Sequence, residues 1–257
     1  MIRIVSTAAF IILIVAVAAV AVYALNGQPA AQTAAAPAAV PGSASVHAPE
    51  AVAAAANFNA IAVPLDVTSN WASGGHNFDA QGLAEYVGEP SVDQVLHLNA
   101  STQGYDSWYP ATQDGFVNGA YTTIPFALSV GGAYRLVLNN SDPNLDIVSF
   151  VGDVPDAGSI KFTLVGADGG CKFQDVSIPL EQSGLTDADL LSDSMGGLTD
   201  VEQVLQLNPS TQGYDSWYPA TQDGFVNGSY TTVPFETKIG YPYAVCLLSG
   251  ANGVVWP

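Results

Sequence analysis

The chain has 257 residues, 49% of them apolar, enough for one to two packed domains. Five Lys and Arg stand against 23 Asp and Glu, a formal charge of −18, which excludes binding to nucleic acid through phosphates and attraction to an anionic membrane surface. Only 11% of residues are charged where about 25% is usual, so the surface rests on Asn, Gln, Ser, Thr, Gly and Tyr, as in secreted β-proteins.

Residues 4–25 read IVSTAAFIILIVAVAAVAVYAL and carry no charge. A run of 22 residues is long enough to cross a bilayer as a helix, and Arg3 before it places the N-terminus inside and the rest of the chain outside. Two fates stay open: a retained single-pass anchor, or a signal segment cleaved after the small-residue pattern Val22-Tyr23-Ala24. A third use, as the core helix of a pilin-like filament, suits the many Ala residues. It lacks a Gly-bounded processing site and an early Glu. Residues 26–56 hold 14 Ala and four Pro and read as an extended spacer, with a possible short helix over 51–56.

Residues 57–140 and 141–257 read as two β-modules. Each opens on an alternating strand that ends in Pro-Leu, Phe58–Asp66 and Phe173–Glu181. A short helical pattern follows, Phe78–Gly88 with Asp79 as N-cap, and Leu185–Gly197 with Thr186 as N-cap. The connection to the next strand is six residues longer in module one, since Pro64 to Val95 spans 31 positions and Pro179 to Val204 spans 25.

Residues 92–126 and 201–235 then agree at 30 of 35 positions. Gln94–Asn99 and Gln203–Asn208 alternate as strands, Ser-Thr-Gln-Gly is a turn, and Tyr105–Pro110 and Tyr214–Pro219 return as the second strand of a hairpin. An Asn-Gly turn begins the next strand in each copy. Residues 133–138 and 243–248 close the modules, and residues 146–168 between them hold two further strand runs that complete module two or bridge the pair. The expected fold is mainly β: two tandem sandwich-like modules, each with one short helix, behind a transmembrane-type helix and an Ala/Pro-rich spacer.

Identity between the copies runs through polar residues, which apolar packing does not require. Function and recent duplication both account for that. In Tyr105, Trp108 and Tyr109, and in Tyr214, Trp217 and Tyr218, the Trp points away from the two Tyr. One face is then core, and the other offers Tyr rings to a glycan or a protein partner.

Cys171 and Cys246 are the only cysteines, and module one has Ala56 and Val137 in their places. An even pair in an exported chain suggests a disulfide across module two, with two buried thiols as the alternative. No His or Cys has zinc-ligand spacing, and no hydrolase, zincin or phosphate-loop motif occurs. Asp142 with Asp146, and Asp187 with Asp189 and Asp193, are candidate Ca²⁺ ligands, although a solvated loop and a helix N-terminus account for them as well. No other cofactor is implied. Asn99, Asn139 and Asn227 fit the N-x-Ser/Thr acceptor pattern.

The residues Ala62-Val63-Pro64-Leu65-Asp66, Leu83-Ala84, Val95-Leu96, Ser101-Thr102-Gln103, Trp108 and Gly132-Ala133-Tyr134-Arg135-Leu136 form an ordered pattern. It returns as Ile178-Pro179-Leu180, Val204-Leu205, Ser210-Thr211-Gln212, Trp217 and Tyr243-Ala244-Val245. This pattern, over residues 57–257, resembles the tandem extracellular β-repeat modules of bacterial surface and secreted proteins. The resemblance implies stalk or display units rather than enzymes. The expected function is that of an exported, membrane-anchored, non-enzymatic surface protein with a structural, adhesive or self-assembling role. Its partners would be copies of itself or other surface proteins, with the membrane engaged through residues 4–25. An accessory subunit of a membrane complex and a pilin-like subunit are the alternatives.

Overall fold

A computed structural model describes residues 43–47, 57–139 and 148–257. The apolar run 4–25, most of the spacer, and Asp142 and Asp146 lie outside the described residues. Among those described, no helix is long and apolar enough to cross a membrane.

The fold is mainly β, and the strand ladders among the described residues are antiparallel, with an isolated parallel bridge between Ala167 and Leu248. Strand β1 (Ser43–His47), inside the expected spacer, pairs with β8 (Ser149–Asp153). Module one contains β2 (Asn57–Ala62), helices α1 (Thr68–Gly74) and α2 (Ala80–Val87), then β3 (Val92–Asn99), β4 (Gly104–Tyr109), β5 (Asp114–Val117), β6 (Ala120–Thr122) and β7 (Ala133–Leu138). Its sheet has the order β2-β7-β3-β4-β5-β6, so the last strand inserts between the first two.

Module two contains β9 (Phe162–Thr163), β10 (Lys172–Ser177), helix α3 (Ala188–Ser194), β11 (Val201–Asn208), β12 (Gly213–Tyr218), β13 (Asp223–Val226), β14 (Ser229–Thr231), β15 (Pro242–Leu247) and β16 (Val255–Trp256). Its sheet repeats the order as β10-β15-β11-β12-β13-β14, and β16 pairs with β9. The register shift between Val92 and Gln94 recurs between Val201 and Gln203.

Local chemistry explains the shared hairpins. Asn118 and Gly119 have φ of 49° and 84°, and Asn227 and Gly228 have 49° and 83°. Two successive positive φ values match the right-handed twist of the flanking strands, and Asn-Gly is the pair that adopts them most readily. In α2, Asp79 accepts from the Gly82 amide at 2.8 Å, as expected of the N-cap. In α3 the cap is Asp187, which accepts from Leu190 at 2.8 Å, and not Thr186. The Thr186 carbonyl is instead held by the Thr237 amide at 3.0 Å, which leaves its neighbour to turn into the helix.

The helices cover one face of each sheet. In module one, Ile61, Val95, Trp108, Tyr134 and Leu136 pack against Leu83, Ala84 and Val87 of α2. Module one has a second helix, α1, where one was expected. It fills the longer connection and drives Trp71 into the core, where its ring stacks on Tyr86 at 4.9 Å. Strand β8 and Val148 just before it close this core: Val148 and Phe150 are buried in it, the Tyr86 hydroxyl donates to the Ser149 carbonyl at 2.6 Å, and the backbones of Asp66 and Asp153 bond both ways at 2.9 Å. In module two, Val176, Ile178, Leu191, Val204, Trp217, Tyr243 and Val245 form the equivalent core, capped by Trp256. The two modules lie within one compact unit.

Candidate functional site

The face of each sheet turned away from the helices carries the features that single this molecule out. Leu96 and Leu98 are buried there although they belong to neither helix-covered core. They are covered by the other module: β10 lies against β3 and β7, and β15 against β2 and β7.

The edge strands are held by a pair of reciprocal side-chain clasps. Gln103, after β3, accepts from the Phe173 amide at 2.8 Å and donates to the Phe173 carbonyl at 3.0 Å. Gln212, its equivalent after β11, accepts from the Phe58 amide at 2.9 Å and donates to the Phe58 carbonyl at 3.3 Å. A Gln amide presents one donor and one acceptor side by side, so it imitates a neighbouring strand and satisfies an edge strand's open backbone groups. Both Gln residues sit in the left-handed region, φ 59° and 56°, which aims them across the gap.

Between the clasps, Arg135 of β7 donates to Asp175 of β10 at 2.9 Å, with side chains 12% and 6% exposed. The guanidinium also donates to the Tyr105 hydroxyl and lies 5.1 Å and 5.8 Å from the centres of the Tyr105 and Tyr214 rings. Burial pushes the Asp175 carboxyl up, and Arg135 opposes it. Burial alone lowers the Arg135 pKa, but the adjacent Asp175 reverses this and the net shift is upward. Burial raises both tyrosines, Tyr105 and Tyr214. Ser177 adds a buried bond to the Gly131 carbonyl at 2.6 Å.

Beyond the covered strands the same face opens to solvent as an aromatic shelf. Cross-strand pairing places Ser107 against Phe116, Tyr109 against Asp114, and Phe116 against Tyr121. The Phe116 and Tyr121 rings meet edge-on at 5.1 Å, and Phe225 and Tyr230 repeat this at 5.1 Å. Tyr121 and Ile124 are 89% and 74% exposed, and Tyr230 and Val233 are 87% and 67%. In module two, Gln203 donates to the Tyr218 hydroxyl at 2.7 Å.

The contact residues expected from sequence divide three ways. Tyr109 and Tyr218 stand on the shelves. Tyr105 and Tyr214 lean on Arg135 between the modules. Trp108 and Trp217 are buried in the cores, 0% and 2% exposed, and are unavailable to a ligand. The sequence reading missed Phe116, Tyr121, Ile124 and their copies. The signal was an aromatic two residues before and after each Asn-Gly turn, which pairs the rings across the hairpin.

The remaining candidates have structural employment. Asn99 donates to Asn118 at 2.8 Å and to Asp106 at 3.4 Å, and its oxygen accepts from Ser101 and Thr102, both at 3.2 Å. Asn139 donates to Asp93 at 2.6 Å, and Asn227 accepts from Asn208 at 3.0 Å. Asp187 caps α3 and Asp189 accepts from the Trp217 indole at 3.2 Å. Cys171 and Cys246 form the disulfide, with Cα atoms 5.3 Å apart. Glu202 lies close to both sulfurs, so these three form the one group among the described residues with metal-ligand spacing, but bonded sulfurs are not thiolate ligands. His97 is half-buried over Tyr134 and burial lowers its pKa; its copy is Gln206.

No protein-family model, curated protein or solved structure matches this chain.

Proposed function

We propose that this is an exported, membrane-anchored, non-enzymatic protein of the cell surface. It displays two β-modules whose aromatic shelves make adhesive or structural contacts with copies of itself or with other surface proteins. The observation that carries this reading is the repeated exposure of one feature: Tyr121 is 89% exposed and Tyr230 87% exposed on equivalent hairpins. A single exposed ring is ordinary. The same ring with its apolar neighbour, Ile124 or Val233, held out on both modules is the pattern of a two-site contact surface.

Three features support the setting. Residues 4–25 are apolar enough to anchor the chain, the disulfide suits an oxidising exterior, and the pattern of residues 57–257 resembles bacterial surface modules. The test is Tyr121→Ser combined with Tyr230→Ser in the full-length protein displayed on cells or beads. Clustering should fall by about tenfold with an unchanged melting temperature, because exposed rings contribute to association and little to the fold. Undiminished clustering of both cells and beads would sink this reading.

A further inference from the structure

Nearly every group between the two modules has a copy in the other module. Gln103 and Gln212 are equivalents, as are the Phe173 and Phe58 backbones they clasp. These clasps alone do not distinguish a like module from an unlike one. The equivalence fails at three charged positions: Lys172, which donates to the Ser101 carbonyl at 3.5 Å and has Asn57 as its counterpart, and two that face one another. Arg135 in β7 corresponds to Ala244 in β15, and Asp175 in β10 corresponds to Ala60 in β2. The registers agree: Ala60 stands across from Arg135 in the first sheet, and Asp175 across from Ala244 in the second. The pseudo-twofold arrangement therefore has a buried ion pair on one side and two alanines on the other. A crevice lined by Asn59, Ala60, Leu207 and Pro242 lies on the alanine side.

We infer that Arg135 and Asp175 form a recognition code by which module one pairs with module two, of its own chain or of a second copy, and rejects its own kind. Two copies of module one in this arrangement would each bury Arg135 against Ala60. Among the described residues Asp175 is the carboxylate paired with Arg135, at 2.9 Å, and it belongs to module two, so both guanidiniums would be desolvated without that counter-charge. Two copies of module two would bury two Asp175 carboxylates, each against Ala244. Only the unlike pairing neutralises both charges, and the Ser177 bond to Gly131 points the same way because Ala62 replaces Ser177 in the other half. Unpaired buried charge is one of the penalties with which an otherwise self-complementary surface can exclude the wrong partner.

The experiment uses two full-length variants in mild detergent, Arg135→Asp and Asp175→Arg. Each sets like charges against one another within its own chain. Mixed at equal amounts, each supplies the module the other lacks, and native and reversed ion pairs form between chains. Each variant alone should melt below the wild type. The mixture should contain about ten times the dimer of either variant alone in sedimentation velocity. The cis double variant R135D/D175R keeps the protein testable where the single variants fold poorly: it should return to a monomer melting close to wild type. A mixture with no more dimer than its components, single variants that melt with the wild type, or a double variant no more stable than the singles would each overturn the code.

Discussion

Trp108 and Trp217 occupy equivalent places in β4 and β12, yet only one has a partner for its indole N–H. Trp217 donates to Asp189 at 3.2 Å, whereas the buried Trp108 nitrogen has no acceptor among the described residues. The difference lies in the first turn of the covering helix, where Asp189 is replaced by Gln81, which donates to Glu85 at 2.8 Å instead. A buried donor without an acceptor costs about 1–3 kcal/mol. Gln81→Asp should therefore stabilise module one by about 1 kcal/mol, aided by an acidic residue in the first helical turn. Asp189→Ala should destabilise module two by a similar amount. Urea denaturation of each variant against wild type measures both, and a Gln81→Asp chain no more stable than the parent would show that Trp108 is satisfied in some other way.

Strands and turns were readable because each obeys a local rule. Alternation marks β2, β3 and their copies, and Asn-Gly fixes the β5–β6 hairpin. Helix α1 escaped because TSNWASG has one apolar anchor, Trp71, and no stripe; its helicity comes from the aromatic pocket of Tyr86 and Phe150 that receives the ring. The identity of the copies at polar positions has a physical account that no single-sequence reading supplies. Asn99, Asp106 and Asn118 are joined across three strand ends, the Asn118 amide donating to Asp106 at 2.7 Å, and Asn208, Asp215 and Asn227 repeat the network. Gln103 and Gln212 were likewise legible only as turn residues, because what they hold is 70 and 154 positions away in sequence. Their loss belongs to this scale. Gln103→Ala with Gln212→Ala should uncover the edges of β10 and β2, cost about 1–2 kcal/mol at each edge and raise light scattering on heating. A doubly substituted chain that melts and scatters like the parent would show the edges to be protected by other means.

As a whole, the molecule is two copies that have been made unlike at a few chosen places: a charge pair between them, an extra helix in the first, and a covalent bond in the second. The disulfide closes a loop of 75 residues, which is worth about 4 kcal/mol through the unfolded chain. Reduction should therefore lower the unfolding transition of module two by that order and leave the intrinsic stability of module one unchanged. Trp71 of module one and Trp256 of module two, buried in separate cores, are reporters for following each half in single-Trp variants. Equal loss in both halves would mean that the two cores unfold as one unit.

That bond also sets how the molecule answers a pull. Module one has no crosslink, so tension along the backbone can draw its whole fold out as slack. In module two the chain between Cys171 and Cys246, about 250 Å when fully extended, is bypassed by the sulfur bridge and stays out of the line of force until a reductant arrives. One module gives and the other holds, so the chain under tension would lengthen in a limited step and then stop.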